Sequence, residues 1–370
     1  MKILITGAKG FVGKNLVCEL YNRGYKDLLL YDIDTSPKEL NSFAKECNFV
    51  IHLAGVNRPA DEKEFDTGNR GFTSELLGKL IENRNFCPFL ISSSIQALNE
   101  NPYGRSKKAG EDEVIAYSHN TGAKVFVYRL PNVFGKWCRP NYNSGVATFC
   151  HNIARGLEIK INDAQSVINL VYIDDVVTEF INSLENKENR IDKDFCAVKT
   201  VYTIKLGELA EKLYSYKKSR ENLIIPSFEN SFDKALYATY LSYLPENEFS
   251  YDLEMKNDNR GWLSEFIKSK SFGQIFISKT KPGITRGNHW HHTKAEKFLV
   301  IEGKAVIKFR KIDSENVIEY NVSGEKLQVL DIPAGFTHSI ENTGDTDVIT
   351  LFWADEMFNK DNPDTYYLEV

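Results

Sequence analysis

Short apolar runs alternate with helical patterns over the first two hundred residues. Residues 2–6, 27–31, 49–53, 89–92 and 124–129 predict strands. Residues 11–23, 67–83 and 106–119 have apolar positions at helical spacing and predict helices. Strands that alternate with helices predict βαβ units and a parallel sheet, so we expect an α/β domain of the doubly wound Rossmann type.

The pattern changes after about residue 200. Residues 205–218 and 231–244 predict helices, and the chain then becomes a series of short strand patterns separated by Gly, Pro and Asn turns. These patterns cover residues 273–279, 297–301, 304–310, 325–330 and 347–353, and they predict an all-β barrel or sandwich. Because residues 245–248 and 256–261 are polar and turn-forming, we expect two domains, 1–244 and 245–370.

Composition limits the classes of function that fit this chain. The 46 basic and 51 acidic residues are well mixed and the net charge is -5, so the sequence shows no basic cluster of the kind that binds nucleic acid. No apolar run is long enough to span a bilayer or to act as a signal peptide. The six cysteines are scattered without a CxxC pair, as is typical of a reducing compartment. We therefore expect a cytoplasmic enzyme with no membrane partner.

A glycine-rich turn follows the first strand pattern and opens the first helix pattern. Gly7 permits the tight turn, Gly10 lets a pyrophosphate approach the backbone, and Gly13 allows close packing of helix against strand. The helix N-terminus then offers free N–H groups and positive potential to the phosphates. This context predicts a dinucleotide site. Its expected residues are Gly7, Lys9, Gly10, Phe11, Val12, Gly13 and Asp32.

Two residues beside the turn give opposite indications of the cofactor. Asp32 stands at the end of the second strand pattern, where a carboxylate could bind the adenosine ribose of NAD and repel a 2′-phosphate. Lys9 could instead pair with that phosphate. We expect NADPH, and NADH stays open.

A second constellation follows the strand pattern that ends in serines. Tyr103 and Lys107 have a YxxxK spacing, which places both on one face of a helix. A lysine ammonium near a phenol favours the phenolate and lowers the pKa of the phenol. The phenol can then exchange a proton with a carbonyl oxygen while hydride moves at carbon. A serine hydroxyl from residues 92–94 could orient that carbonyl.

Four of the seven histidines fall in the last domain. His289 and His291 alternate along a strand pattern and therefore project to the same face. Glu296 comes from the next stretch, and His338 from a later strand. Three imidazoles and one carboxylate suit Zn²⁺, Fe²⁺, Ni²⁺ or Mn²⁺, and we expect zinc, in either a catalytic or a structural role. His292 has the opposite parity and is expected to face elsewhere.

The first two thirds of the chain resembles the extended short-chain dehydrogenases/reductases that act on nucleotide sugars. The motifs are His52-Leu53-Ala54-Gly55, Ser92-Ser93-Ser94, Tyr103xxxLys107, and residues 128–135 and 171–176. The resemblance implies a helical substrate-binding lobe and a short loop over the site at residues 95–102. It implies a catalytic triad of Ser94, Tyr103 and Lys107, cofactor contacts from Leu53, Ala54, Tyr103 and Lys107, and substrate contacts from Asn132 and Arg129.

The last domain resembles the cupin superfamily, which implies a jelly-roll barrel. Its first motif is matched by Gly283, His289, His291, Glu296 and Gly303, and its second by Pro333, Gly335, His338 and Asn342. Leu327 stands where the second motif opens with a glycine. By this resemblance the four metal ligands are His289, His291, Glu296 and His338.

The order of the two domains resembles the bifunctional capsular-polysaccharide enzymes of the UDP-N-acetyl-L-fucosamine pathway. That implies a homodimer in which the cupin domain epimerises C3 of a UDP-2-acetamido-2,6-dideoxy-4-hexulose. The reductase domain would then reduce the C4 ketone with NADPH, giving UDP-2-acetamido-2,6-dideoxy-L-talose. Two alternatives stay open. One is a 4-keto sugar reductase or epimerase whose cupin serves only dimerisation or binding, and the other is a non-catalytic NAD(P)- and sugar-sensing regulator.

Overall fold

The structure, a computed structural model, describes residues 1–59 and 61–370. The chain divides into two compact units. One comprises Met1–Leu213 and Ala235–Pro245, and the other comprises Tyr214–Lys234 and Glu246–Val370. The domain boundary expected between residues 244 and 245 stays a prediction.

The first unit is built on a parallel sheet. Its strands are β1 (Ile3–Thr6), β2 (Leu28–Tyr31), β3 (Phe49–His52), β4 (Phe89–Ser94), β5 (Val125–Leu130), β6 (Asn132–Phe134), β7 (Val167–Tyr172), β8 (Phe195–Cys196) and β9 (Tyr202–Lys205). The six-stranded sheet has the order β2-β1-β3-β4-β5-β8, and every pair in it is parallel. A smaller sheet has the order β6-β7-β9. The predicted Rossmann-type fold is confirmed.

Helices cover both faces of this sheet. One face has α1 (Phe11–Asn22) and α7 (Ile173–Leu184), and the other has α2 (Pro37–Glu46), α4 (Phe72–Glu82) and α5 (Pro102–Thr121). The chain also contains α3 (Lys63–Phe65), α6 (Gly145–Ala154), α8 (Leu206–Asn222) and α9 (Ser231–Leu241), and the last two each contribute residues to both units. On β1, Ile3 and Ile5 join a core with residues of α1 and α7, whereas Leu4 joins a core with α2, α4 and α5. Strands buried on both faces read as continuous apolar runs, which explains their sequence pattern.

Helix α5 begins four residues before its predicted start, and the difference matters for the site. Asn101 is the N-cap, and its side chain accepts a hydrogen bond of 2.7 Å from the Gly104 N–H. Pro102 occupies the first helical position, where its fixed φ is favourable. Tyr103 therefore stands in the first turn of a 20-residue helix.

The second unit contains two antiparallel sheets. Its strands are β10 (Lys256–Asp258), β11 (Gly261–Ser269), β12 (Gly273–Thr280), β13 (Thr285–Trp290), β14 (Glu296–Glu302), β15 (Lys304–Lys311), β16 (Val317–Ser323), β17 (Val329–Ile332), β18 (Phe336–Asn342), β19 (Val348–Ala354) and β20 (Tyr366–Tyr367). The sheets have the orders β10-β11-β12-β19-β14-β17 and β16-β15-β18-β13-β20. Their inner faces share one apolar core, which includes Phe298, Ile307 and Phe352. The predicted all-β architecture is confirmed and is consistent with a cupin jelly roll.

Two segments of this unit differ from the prediction. The strand expected at residues 325–330 begins only at Val329, because the polar residues before it form a turn. The polar stretch before Gly261 was expected to form turns at the domain boundary, but it contains β10. This strand pairs with β11, and Asp258 lies opposite Gly261. All of β10 is exposed, so a polar sequence is compatible with strand pairing there.

None of the helices within the described ranges combines the length and the apolar character that a bilayer span requires.

Candidate active site and metal centre

The glycine-rich turn has no room for side chains. Gly7 has φ +68°, and a Cβ there would lie 2.8 Å from the backbone nitrogen of Ala54. A Cβ on Gly13 would lie 2.2 Å from the carbonyl oxygen of Gly7. Contacts this short with backbone atoms require glycine, and they bring α1 close against the end of β1.

The N-terminus of α1 suits a phosphate. Gly10 is the N-cap and provides no side-chain cap, so the first N–H groups of the helix, from Phe11 onwards, have no side-chain partner there. Such groups, together with the helix dipole, form an anion site. The glycines and this helix end fit a dinucleotide pyrophosphate.

Asp32 and Lys9 are both engaged within the protein. The Asp32 carboxylate accepts hydrogen bonds from the Lys9 N–H at 2.7 Å and from the Ile33 N–H at 2.8 Å. The Lys9 ammonium forms an exposed ion pair with Asp34. Asp32 thus holds the glycine-rich turn in place, and the Lys9 ammonium already has a partner in Asp34.

Tyr103 and Lys107 lie on one face of α5, beside the end of β4. Tyr103 is partly buried, has a side-chain hydrogen bond with Ser94, and lies 5.6 Å from Phe65 between ring centroids. Lys107 Nζ donates to the carbonyl oxygen of Ser92 at 2.9 Å. The structure therefore brings together the three residues of the expected triad.

The expected lowering of the phenol pKa is wrong for this structure. Burial raises the pKa of Tyr103, and the hydrogen bond with Ser94 only partly opposes it. Burial also lowers the pKa of Lys107 to about 8, although the Glu111 carboxylate favours its charged form. Desolvation is the larger effect at both groups because they lie in the interior of the unit.

The triad adjoins the glycine-rich turn through the loop after β3. Gly7 packs against Ala54, whose N–H also bonds the Thr6 hydroxyl at 3.3 Å. One residue on, a Cβ at Gly55 would lie 3.6 Å from Lys107 Nζ. Leu53, next to Ala54, packs against the core that contains β1. One continuous backbone segment thus separates the phosphate site from the triad.

Arg129 is held mainly by a buried carboxylate. Its Nε and Nη2 donate to the two oxygens of Glu111 at 2.9 and 2.6 Å, and the Ser93 hydroxyl donates to the same carboxylate at 2.6 Å. Glu111 is fully buried and lies one turn beyond Lys107 on α5. Sequence reasoning missed Glu111. These contacts use the Nε–H and one N–H of Nη2, so the substrate role that was expected for Arg129 would fall to its other N–H groups.

Asn132 stands just beyond β5, where its amide donates to the Asn169 carbonyl at 3.2 Å. A cavity of about 180 Å³ lies beside it. Its lining includes Ile95, Arg129, Pro131 and Asn169. Residues 95–102 were expected to form a short loop over the site. This stretch contains a 3₁₀ turn at Ile95–Leu98.

Four side chains of the second unit converge as predicted. One ligand atom from each of His289, His291, Glu296 and His338 lies within 4.8 Å of the others. His289 on β13 is paired directly with His338 on β18, and their ring centroids are 4.6 Å apart. Glu296 opens β14. His292 is exposed and contacts Trp290 and Tyr366 instead.

The state of these groups fits a divalent metal ion. Both ring nitrogens of His338 are buried and have no hydrogen-bond partner within the described residues. Burial raises the pKa of Glu296, but the hydrogen bond with His291 and the His338 ring, whose Nε2 lies 3.4 Å from the carboxylate, outweigh it and lower the value to about 2. Burial lowers the pKa of His289 to about 4. Burial also lowers the pKa of His291, but the Glu296 carboxylate and the Asp364 carbonyl outweigh it and raise the value. A metal ion binds the carboxylate and the neutral imidazole, so its binding releases any proton that these rings carry.

Comparisons with known proteins agree with this division of chemistry. The family model "NAD dependent epimerase/dehydratase family" matches residues 73–196, and "Polysaccharide biosynthesis C-terminal domain" matches residues 256–366. The capsular polysaccharide assembling protein CapF of Staphylococcus aureus superposes with a TM-score of 0.94 at 49% identity, and each chain is covered completely. A UDP-glucose 4-epimerase of Thermotoga maritima, at 22% identity and a TM-score of 0.55, shares the fold over 66% of this chain.

One curated relative matches the whole chain. It is the UDP-2-acetamido-2,6-beta-L-arabino-hexul-4-ose reductase of Pseudomonas aeruginosa, which is 44% identical over 371 residues, covering 100% of this chain and 99% of the relative. Over part of the chain, a dTDP-4-dehydro-6-deoxyglucose reductase of Escherichia coli is 25% identical. The chain is a nucleotide-sugar enzyme and belongs to the family of UDP-2-acetamido-2,6-beta-L-arabino-hexul-4-ose reductases.

Proposed function

We propose that this chain is a bifunctional nucleotide-sugar enzyme. Its second unit inverts C3 of a UDP-2-acetamido-2,6-dideoxy-4-hexulose, and its first unit reduces the C4 ketone with NADPH to UDP-2-acetamido-2,6-dideoxy-L-talose. The observation that carries the proposal is the placement of Ser94, Tyr103 and Lys107 one backbone segment away from the glycine-lined phosphate site. The product would be a UDP-N-acetyl-L-fucosamine precursor for capsular polysaccharide.

The raised pKa of Tyr103 supports the direction of the reductase step. Bound NADPH supplies the hydride that reduces C4. Tyr103 then gives its phenolic proton to the C4 oxygen, and a phenol that is protonated at neutral pH is the form this step requires. Ser94, which bonds the phenol, orients the ketone beside it. The Lys107 ammonium, when charged, would stabilise the phenolate that remains.

The metal centre supports the epimerase step. A bound divalent ion, for which we propose zinc, supplies Lewis acidity toward a carbonyl oxygen. His289, His291 and His338 would hold it as neutral imidazoles, and Glu296 as a carboxylate. Inversion requires that the C3 proton leaves from one face and returns on the other, while the enolate charge on the C4 oxygen is stabilised.

Solvent deuterium distinguishes a catalytic from a structural metal. Wild-type protein in D₂O, without NADPH, should exchange the C3 proton of the 4-keto sugar. We expect His289→Ala to lose this exchange while it still binds NADPH, because the substituted residue lies in the second unit. Exchange that persists in folded, zinc-free His289→Ala would exclude a catalytic metal and leave the ion a structural role.

We also propose a homodimer. Strands β10, β17, β16 and β20 end the two sheets of the second unit, and such edges carry unpaired backbone groups that a second copy can pair. Light scattering on the purified chain tests this, and a monomer across the working concentration range would contradict it.

A further inference from the structure

Residues 363–370, which we call the strap, lie along the candidate metal centre. The short strand β20 in the strap pairs with β13, so that Tyr367 is opposite His289 and Tyr366 is opposite Trp290. The Leu368 N–H donates to the Asn288 carbonyl at 3.0 Å. The strap is thus fixed to the strand that carries His289 and leads directly into His291.

The Asp364 carboxylate organises the turn between ligands. One oxygen accepts the His292 N–H at 3.0 Å. The other accepts the N–H groups of Thr293 and Lys294, both at 2.9 Å, and the Thr293 hydroxyl at 3.0 Å. These residues connect His291 to Glu296, so one carboxylate fixes the path of the chain between two candidate ligands.

The backbone carbonyl of Asp364 fixes the orientation of the His291 ring. Its carbonyl oxygen lies 2.7 Å from His291 Nδ1, so this nitrogen donates its proton to the carbonyl. The other nitrogen, Nε2, faces Glu296 at 3.2 Å, and its lone pair is the one that a metal ion would take in place of a proton. A carbonyl that accepts from the far nitrogen of a ligating histidine sets both its tautomer and its ring plane.

The strap also reaches the opposite side of the centre. The Thr337 hydroxyl, next to His338, donates to the Leu368 carbonyl. Asp364 and Asn288, which both contact this region, have positive φ angles of 39° and 59°. Non-glycine residues in that region are strained and are retained where surrounding contacts determine them. The strap therefore contacts the strained Asn288 beside His289, the ring of His291, and Thr337 beside His338.

We propose that Asp364 is a positioning residue of the metal centre and that the strap holds His289, His291 and His338 in ligating geometry. The inference rests on the proposed metal site. It requires that metal binding depends on Asp364 even though Asp364 itself supplies no ligand. Removal of an outer-shell partner typically lowers metal affinity by about 10–100-fold.

Two substitutions separate the roles of this residue. Asp364→Gly removes the carboxylate, keeps the carbonyl and relieves the positive φ. Asp364→Asn keeps the size, tolerates the same backbone region and replaces one acceptor oxygen with a donor. Asp361→Gly is the matched control, since Asp361 is exposed and its one hydrogen bond to other described residues is from its N–H to the Asn359 side chain.

Zinc affinity is measured on the full chain by competition with a chromophoric chelator. The visible spectrum of the cobalt-substituted protein reports ligand geometry, and NADPH binding reports the integrity of the first unit. We expect Asp364→Gly to bind zinc about 10–100-fold more weakly, with an altered cobalt spectrum and unchanged NADPH affinity. Asp364→Asn should fall between it and wild type, and Asp361→Gly should match wild type.

The outcomes distinguish this inference from the function on which it rests. If wild-type protein binds no zinc, the proposed metal centre fails and the inference fails with it. If wild type binds zinc and Asp364→Gly binds it equally well with the same cobalt spectrum, only the inference fails. If Asp364→Gly does not fold, the same comparison is made with Asp364→Asn. A zinc affinity and a cobalt spectrum equal to those of wild type would then overturn the proposed role of the carboxylate.

Discussion

Lys107 places an ammonium group in the interior of the first unit, and its removal should stabilise the fold. Burial lowers its pKa from 10.5 to about 8. Each pKa unit is worth about 1.4 kcal/mol, so the charged form destabilises the folded state at neutral pH by on the order of 3 kcal/mol. Lys107→Met removes this penalty but leaves the Ser92 carbonyl without its donor, a loss of about 1 kcal/mol.

The net gain at pH 7 is about 2 kcal/mol. For a domain of this size that corresponds to a rise in Tm of roughly 4–8 °C. The penalty is fully present below the folded pKa and disappears as pH rises toward the unfolded value of 10.5. Between these values the unfolded chain binds the proton and the folded chain does not, so wild-type stability rises with pH and the advantage of the variant shrinks.

Thermal unfolding of the two proteins at pH 7 and near pH 10 tests this reasoning. The relevant transition is the one that added NADPH shifts in wild type. Lys108→Met is the control, because Lys108 is exposed and pairs only with Asp112 at the surface, where such pairs contribute little. The reasoning is refuted if Lys107→Met is less stable than wild type at pH 7, or if its advantage is the same at both pH values.

Four further substitutions test the cofactor site and the hydrogen-bond network around Glu111. Asp34→Asn frees Lys9 and should tighten NADPH binding severalfold without affecting NADH binding. Lys9→Ala should weaken NADPH binding more than NADH binding. Equal effects on the two cofactors in a binding titration would contradict the preference for NADPH. Glu111→Gln breaks a buried pair worth about 3–5 kcal/mol and should lower the Tm. It should also move the alkaline limb of the reductase pH profile to lower pH, because Glu111 favours the charged form of Lys107; an unmoved limb would argue against that coupling. Gly13→Ala places a Cβ 2.2 Å from a backbone oxygen and should reduce NADPH affinity, so unchanged affinity would contradict the proposed phosphate site.

Local chemistry explains which features could be predicted from the sequence. The glycine-rich turn is determined by close backbone contacts at Gly7 and Gly13, and only glycine fits them. The alternation of His289 and His291 along a strand brings both side chains to one face. Such features depend on a few neighbouring residues, so their sequence spacing already contains the geometry.

Features that depend on distant contacts could not be predicted in this way. Asp364 lies 73 residues from His291, and no sequence spacing relates them. The pKa of Tyr103 was expected to fall because a lysine is near, but burial, which depends on the whole fold, raises it. An Asn-Pro pair at residues 101 and 102 did carry a local signal for the start of α5, as an N-cap followed by proline at the first helical position.

The central claim is that Tyr103 delivers a proton to a ketone that NADPH reduces. It is tested most directly by NADPH oxidation with UDP-2-acetamido-2,6-dideoxy-β-L-arabino-hexul-4-ose, for wild type and Tyr103→Phe. The account predicts turnover to the L-talo product by wild type, and a loss of about 100-fold or more in the variant with NADPH affinity retained. Wild-type protein that binds NADPH yet oxidises none with this or any other UDP-4-keto sugar would contradict it.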